Sequence, residues 1–288
     1  MKYEFIKVNQ ANFSIQRMCQ MFSIERSGYY AWKKRSPSKR SLANQELDKK
    51  IIDIFNCHSS RYGYLRITDE LRENGEKCGK NRVFRRMRHL GLRAKGKKKF
   101  KVTTDSKHNL PVAANLLNRD FNTTGPNQKW CSDITYIWTD EGWLYLATVI
   151  DLYSRAVIGW SIQPTMTRDL VCNALMMALW RRKFPRGLIC HSDRGSQYCS
   201  DDYQKLLKAY GLICSMSRKG NCWDNAIAES FFHSIKTELI YSERYTTREI
   251  AKQSVFQYIE VYYNRVRRHT SIGSIAPMLF EDQGRIVA

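Results

Sequence analysis

The 288-residue sequence has no long apolar run. Its best candidate, Trp143 to Ile162, is interrupted by Asp151, Ser154 and Arg155, and so falls short of the roughly 18 apolar residues a membrane-spanning helix needs. The start, Met-Lys-Tyr-Glu-Phe, lacks the apolar segment of a secretory signal, which makes the cytoplasm the expected location. Nine cysteines, at 19, 57, 78, 131, 172, 190, 199, 214 and 222, form no CxxC pair. An odd set of scattered thiols suits a reduced chain and argues against a disulfide framework or a zinc site. No internal repeat, low-complexity tract or sustained heptad pattern is present. Nor is there a convincing Ser/His/Asp or Cys/His constellation for covalent catalysis.

Acidic residues are also scarce, with 27 Asp and Glu against 48 Lys and Arg and a net charge of +21. The imbalance is uneven. Residues 1 to 110 hold 27 basic and 10 acidic side chains, whereas residues 111 to 288 hold 21 and 17. A polyanion-binding surface is therefore expected mainly in the N-terminal part, with nucleic acid as the natural partner. Hydrophobic content of 43%, with 12% aromatic, supports packed cores rather than disorder.

Residues 1–43 suggest a helical arm. Two short helices, Ile15 to Phe22 and Tyr29 to Lys34, are broken at Ser27-Gly28, and Ser36 to Arg40 has the composition of a linker. The arm fits a small helix-turn-helix and an amphipathic segment packing on a partner equally well. In residues 44–104 the pattern is firmer. Leu47, Ile51, Ile54 and Phe55 share a helical face, Tyr62-Gly-Tyr64 marks a turn, and helices follow at Ile67 to Glu73 and Asn81 to Leu90. The last two have helix-turn-helix proportions. Arg82, Arg85, Arg86 and Arg88 on the third helix, with Lys97, Lys98 and Lys99 after it, are candidate DNA contacts. Lys80 to Lys101 contains 11 basic residues and no acid, so this segment meets phosphate or repels itself.

Residues 105–126, with Pro111 and Pro126, are expected to link this region to an α/β domain at 127–245. There, strand signals at Lys129 to Trp138, Trp143 to Leu152 and Ala156 to Gln163 precede alternating helices and strands: helix Asp169 to Arg182, strand Gly187 to His191, helix Asp201 to Tyr210, strand Ile213 to Ser217 and helix Asn225 to Tyr241. That order predicts a mixed five-stranded sheet covered by helices. Residues 246–288 form a helical extension, with one long helix from Thr246 to Arg268 ending in the basic cluster Arg265, Arg267, Arg268 and His269.

Three carboxylates stand out. Asp133 lies in a strand rich in aromatic and β-branched neighbours, Asp193 follows the apolar run Gly187 to Cys190, and Glu229 lies in a helix. On that helix Ala228, Phe231, Phe232, Ile235 and Leu239 make an apolar stripe, while Glu229, His233 and Lys236 share another face. Thirty-five residues separate Asp193 from Glu229. Asp151 reads as a turn residue capping its own backbone, and Asp201, Asp202 and Asp224 as acids at helix starts.

The pattern of Asp, Asp, 35 residues and Glu, with Lys236 seven residues beyond, resembles the DDE transposase and retroviral integrase superfamily. HSDRGSQY, GNCWDNAIAESFF and YNRVRRHTSIGSIAPMLFE resemble OrfB, the catalytic product of the bacterial IS-three group of insertion sequences. The resemblance runs from about Asn44 to the C-terminus. It departs from the retroviral branch in lacking a two-His, two-Cys zinc module before Asp133.

This resemblance implies a ribonuclease-H-like core in which the first and fourth strands are neighbours. It implies two Mg²⁺ ions, with Mn²⁺ as a substitute: Asp133 bridging both, Asp193 and Glu229 each holding one. The expected reaction is cleavage at the element's 3′ end and transfer of that end to target DNA. Further expectations are DNA contacts by Lys236, Arg194, Gln197, Tyr198, Arg267 and Arg268, weaker positioning roles for His191 and His233, and stacking or core packing by Trp223. Partners implied are double-stranded DNA, further copies of the chain, and an OrfA protein made separately or as a frameshift fusion, in a bacterial cytoplasm near the nucleoid. Alternatives are a ribonuclease-H-like metal nuclease and a non-catalytic DNA-binding regulator.

Overall fold

The computed structural model describes residues 2–96, 111–218 and 222–287. Three short helices come first: α1 (Lys2–Asn9), α2 (Ile15–Met21) and α3 (Arg26–Lys34). They close around Ile6, Met18, Cys19 and Tyr29. Helix α1 was not expected, because Ile6 is its one buried side chain and leaves no apolar stripe to recognise.

The second unit comprises α4 (Lys39–Cys57), α5 (Tyr64–Glu73) and α6 (Lys80–His89). Leu47, Ile51, Ile67, Leu71, Val83 and Met87 fill its core. Helix α4 begins at Lys39, inside the stretch expected to be a linker. The Ser38 hydroxyl accepts the Ser41 N–H at 3.1 Å and starts it there.

A five-stranded sheet follows, built from β1 (Lys129–Thr139), β2 (Gly142–Asp151), β3 (Val157–Gln163), β4 (Ile189–Ser192) and β5 (Ile213–Met216). Its order is β3-β2-β1-β4-β5. The first three strands are antiparallel, while β4 and β5 run parallel to β1. This is the expected ribonuclease-H-like arrangement. Helices α7 (Arg168–Arg181) and α8 (Asp201–Ala209) pack on one face with Trp130, Ala147 and Val149. Helices α9 (Ala226–Glu238) and α10 (Arg248–Phe256) pack on the other with Cys131, Ile137 and Leu146. Gly159 lets α7 approach β3, since a Cβ there would lie 2.2 Å from the Ala174 carbonyl oxygen.

Two connections differ from expectation. The described part of the linker, from Pro111, is bound to the sheet edge: the Leu116 and Leu117 N–H groups donate to Ser215 Oγ at 2.9 and 3.2 Å, and Ala114 O accepts from Met216 N. The long C-terminal helix is α10 followed by a π-helical stretch, Gln257–Tyr263. The wider turn brings Tyr258, Ile259 and Tyr263 closer together on one buried side. A last helix, α11 (Pro277–Val287), returns to α7 through Glu281, which accepts from Arg182 at 2.6 and 2.5 Å.

Candidate active site

Parallel pairing sets two carboxylates side by side. Cys131 of β1 is in register with His191 of β4, so Asp133 and Asp193 each lie two residues further along neighbouring chains. Strand β4 stops at Ser192, leaving Asp193 at the mouth of a loop. Asp133 Oδ1 accepts the Ile134 N–H at 2.8 Å, and Asp193 Oδ1 accepts the Gly195 N–H at 2.9 Å. A Cβ on Gly195 would come within 3.0 Å of that same oxygen, so glycine keeps the Asp193 turn tight. Helix α9 brings the third acid. Phe231 and Ile235 anchor it in the core, while Glu229 faces outward near its start.

Burial pushes the Asp133 carboxyl well above the usual range, and the charges of Asp193 and then Glu229 push the same way. The Ile134 N–H and the Lys236 ammonium oppose them. Partial desolvation also raises Glu229. Lys236 is itself pulled down by burial and held up by Asp133. It is 6% exposed, and its Nζ sits 4.6 Å from the centre of the Tyr136 ring. Cross-strand from Asp133, the Thr148 hydroxyl is buried with no hydrogen-bond partner. Among the described residues no three His, Cys, Asp or Glu side chains stand at metal-holding spacing. Asp133 senses both other acids, and the described residues form no closed ligand shell.

Models of known families match along the chain: an HTH-like domain at residues 42–100, and Integrase core domains at 123–222 and 229–284. Transposase InsF for insertion sequence IS3A of Escherichia coli (strain K12) is 53% identical over 285 residues, spanning 98% of this chain and 99% of that protein. The chain belongs to the IS3 family of insertion-sequence transposases. The 31 kDa protein of insertion element IS600 from Shigella sonnei is 46% identical, over 92% of this transposase and 98% of its relative. Among solved structures, the HTLV-2 integrase catalytic core domain in complex with magnesium aligns with 56% of the chain and 99% of its own, at 16% identity and a TM-score of 0.43. A simian T-cell lymphotropic virus intasome in complex with a PP2A regulatory subunit aligns with 76% and 70%, at 14% identity and a TM-score of 0.47.

Several expected contacts of the transposase lie elsewhere than the sequence suggested. Arg267, expected on DNA, is 4% exposed and gives its guanidinium to Glu238 at 2.7 Å and to the Ser234 hydroxyl at 3.0 Å. Arg268 pairs with Glu70 at 3.7 Å and with Glu73, tying the C-terminal region to α5. Both arginines are thus committed to carboxylates within the protein. Tyr198 is buried and shares a hydrogen bond with Ser132 at 2.9 Å, so its ring cannot reach a flanking strand. Gln197 donates to Met166 O, and Arg194 Nε donates to Ser217 O at 2.6 Å. On α6, Arg85 and Arg88 are exposed, Arg82 donates to Asn44 at 2.9 Å, and Arg86 pairs with Asp48. Lys97, Lys98 and Lys99 lie outside the described residues, as does the Trp223 side chain.

His191 is a structural histidine. It is buried between Ser215 Oγ at 2.9 Å and Ser217 Oγ at 3.1 Å, and burial lowers it to about 4. His233 is exposed on α9. Asp151 accepts the Tyr153 N–H at 2.9 Å, as a turn-capping acid should, and also that of Asn127 at 2.8 Å.

Asp224 is more than a helix-start acid. Buried in a 3₁₀ turn before α9, it accepts from the Arg218 side chain and N–H, Asn115 Nδ2 and Arg119 Nε at 2.9 to 3.3 Å. The Arg218 hydrogen bond leads in lowering it to about 2. Glu238, unremarked in the sequence, closes the other end of α9, accepting from Arg267 and from the Tyr258 hydroxyl at 2.8 Å. A buried acid at each end fixes the helix that carries Glu229.

Proposed function

We propose that this transposase cuts the 3′ end of its element and joins that end to target DNA, with Asp133, Asp193 and Glu229 as a DDE triad holding two divalent ions. The observation that carries this reading is the strand register that sets Asp133 beside Asp193, with the charges of Asp193 and Glu229 both acting on the buried Asp133 carboxyl against Lys236 and the Ile134 N–H. Acids crowded in this way ionise together when a cation joins them. The donor set is all hard oxygen, which fits Mg²⁺, or Mn²⁺ in its place, better than zinc. The unpartnered Thr148 hydroxyl beside Asp133 is consistent with a polar site that lacks one of its components.

When bound, paired ions would supply charge neutralisation at the transferring phosphorus, an activated attacking oxygen and a stabilised leaving oxygen. The chain's own groups do the positioning. The Ile134 and Gly195 N–H groups fix the planes of the Asp133 and Asp193 carboxylates. The Asp224 and Glu238 anchors hold α9 so that Glu229 can close on the other two. Lys236 balances Asp133 and would contact a DNA phosphate as the strand enters. Arg194, Arg82, Arg85 and Arg88, with Lys97 to Lys99, would take backbone phosphates, which orient DNA without reading its sequence. Pairing two element ends calls for more than one copy of the chain, and an OrfA partner would add terminal-repeat specificity.

The test uses a pre-cut element end, a target plasmid and Mg²⁺. Joined product is expected from the wild-type chain and none from Asp193→Asn or Glu229→Gln, both of which should still bind DNA. Cutting without joining would leave a ribonuclease-H-like nuclease. Activity unchanged in both variants would remove the triad and leave a DNA-binding regulator.

A further inference from the structure

Strand alternation collects aromatic rings at the tip of the β1–β2 hairpin. Trp138 pairs with Trp143 and Tyr136 with Tyr145, so all four share one face. The Trp138 and Trp143 rings meet edge to face at 4.8 Å, and Tyr136 meets Trp143 at 5.2 Å and 90°. Side chains of this kind usually lie inside a protein, yet Trp138 is 56% exposed and Trp143 43%. Fraying does not explain it. The turn is tied down by Asp140 N to Tyr245 O at 2.9 Å, by Arg248 N to Glu141 Oε2 at 2.8 Å and by Thr139 Oγ1 to Gly142 O at 2.6 Å.

Three cations stand around the tip, beside the turn's own Asp140 and Glu141. Lys236 Nζ sits over Tyr136, an Arg248 Nη2 lies 3.1 Å from where a Gly142 Cβ would be, and Arg244 flanks the turn beside Asp140. Lys236 also faces Asp133, three residues before Tyr136 on the same strand. Asp133 lies on the other face of the strand, so one ammonium sits over the aromatic surface and is also within the field of the acidic site.

We infer that the hairpin tip is a stacking platform for an unpaired nucleobase of DNA held at the acidic site. A rigid aromatic surface rimmed by positive charge matches a ligand with a flat π-face and attached phosphates. A base inside a duplex cannot offer that face, so the ligand is a base released at a frayed or cut end. The location rests on reading Asp133, Asp193 and Glu229 as the site of strand chemistry; the stacking does not depend on catalysis.

The test measures binding alone, with the full chain in EDTA. The probes are a blunt duplex and the same duplex with one end unpaired and carrying 2-aminopurine, whose emission is quenched on stacking. Wild-type protein is expected to prefer the unpaired end by roughly tenfold and to quench the probe. Trp138→Ala with Trp143→Ala should abolish preference and quenching while leaving blunt-duplex affinity unchanged, and Trp138→Phe with Trp143→Phe should keep both. If the double alanine chain does not fold, Trp138→Gln at the more exposed ring replaces it, with the same expected loss. Asp193→Asn should keep preference and quenching. A failure of the triad reading would instead appear as an Asp193→Asn chain that still cuts, with these results unchanged. The inference is overturned if wild-type protein treats the two duplexes alike, if the alanine variant retains the quenching, or if that variant changes only its sedimentation, which would mark a contact between copies.

Discussion

On α6, Arg85 and Arg88 stand in water, and Arg82 and Arg86 rest on Asn44 and Asp48 of α4. Around β1 and α9 the charges are of both signs and lie inside, where Lys236, Glu238 and Arg267 are each under 10% exposed. The first region pays little to stay charged, because water solvates its arginines and one arginine can largely stand in for another. In the second region each ion is fixed by a named partner, and removing that partner strands a charge in a poorly solvated place. On the proposed reading, long-range attraction of DNA belongs to the former, and geometry at the scissile phosphate to the latter.

The strongest way to break this contrast is at the carboxylates. Asp133→Asn, Asp193→Asn or Glu229→Gln should each lower strand cutting by about a thousandfold or more, on the scale of losing an essential catalytic group. Filter-binding affinity for DNA should change little. A variant that lost binding and cutting together would mean that the two regions do not divide the work as described.

Next in size is the buried pair at the end of α9. Glu238→Ala leaves Arg267 without its carboxylate and should cost about 3 to 5 kcal/mol in denaturant unfolding. Truncating an exposed arginine such as Arg88 should cost less than about 0.5 kcal/mol. Equal costs at both positions would erase the distinction.

A pH series sharpens the contrast further. Asp133 has its folded value raised above the unfolded one, so its contribution to stability is fully present below about 4 and is lost as pH rises through the folded value. Without divalent ions, the wild-type chain should therefore lose more stability than Asp133→Asn as the pH rises from about 4. Thermal melts across that range would check it. Mg²⁺ should restore wild-type stability near neutral pH and leave the variant unmoved.

The smallest effect is expected on α6. Arg85→Ala should weaken DNA binding only a few-fold and reduce the slope of log affinity against log salt by about one.

Much of this organisation was legible in the chain. The runs around Asp133 and before Asp193 carry the alternation and length of strands, and the stripe through Phe231 and Ile235 marks α9, so the elements bearing the three acids were placed correctly. What escaped was mostly pairing at a distance. Asp224 reaches back to Asn115 and Arg119, more than 100 residues earlier, and no local pattern reports that. Arg267 and Arg268 look alike in sequence whether they face phosphate or a carboxylate in the fold, and only the positions of Glu238, Glu70 and Glu73 decide it. The π-helical stretch after α10 was hidden because its apolar residues fit a regular helix almost as well.

The most direct test of the central claim is to soak crystals of the transposase, bound to a DNA end, in Mn²⁺ and map the anomalous scattering. The account predicts density about 2.1 Å from carboxylate oxygens of Asp133 and Asp193, with Glu229 completing the shell. Ions bound elsewhere, or a DNA-bound site in which Glu229 stays turned to solvent, would contradict it.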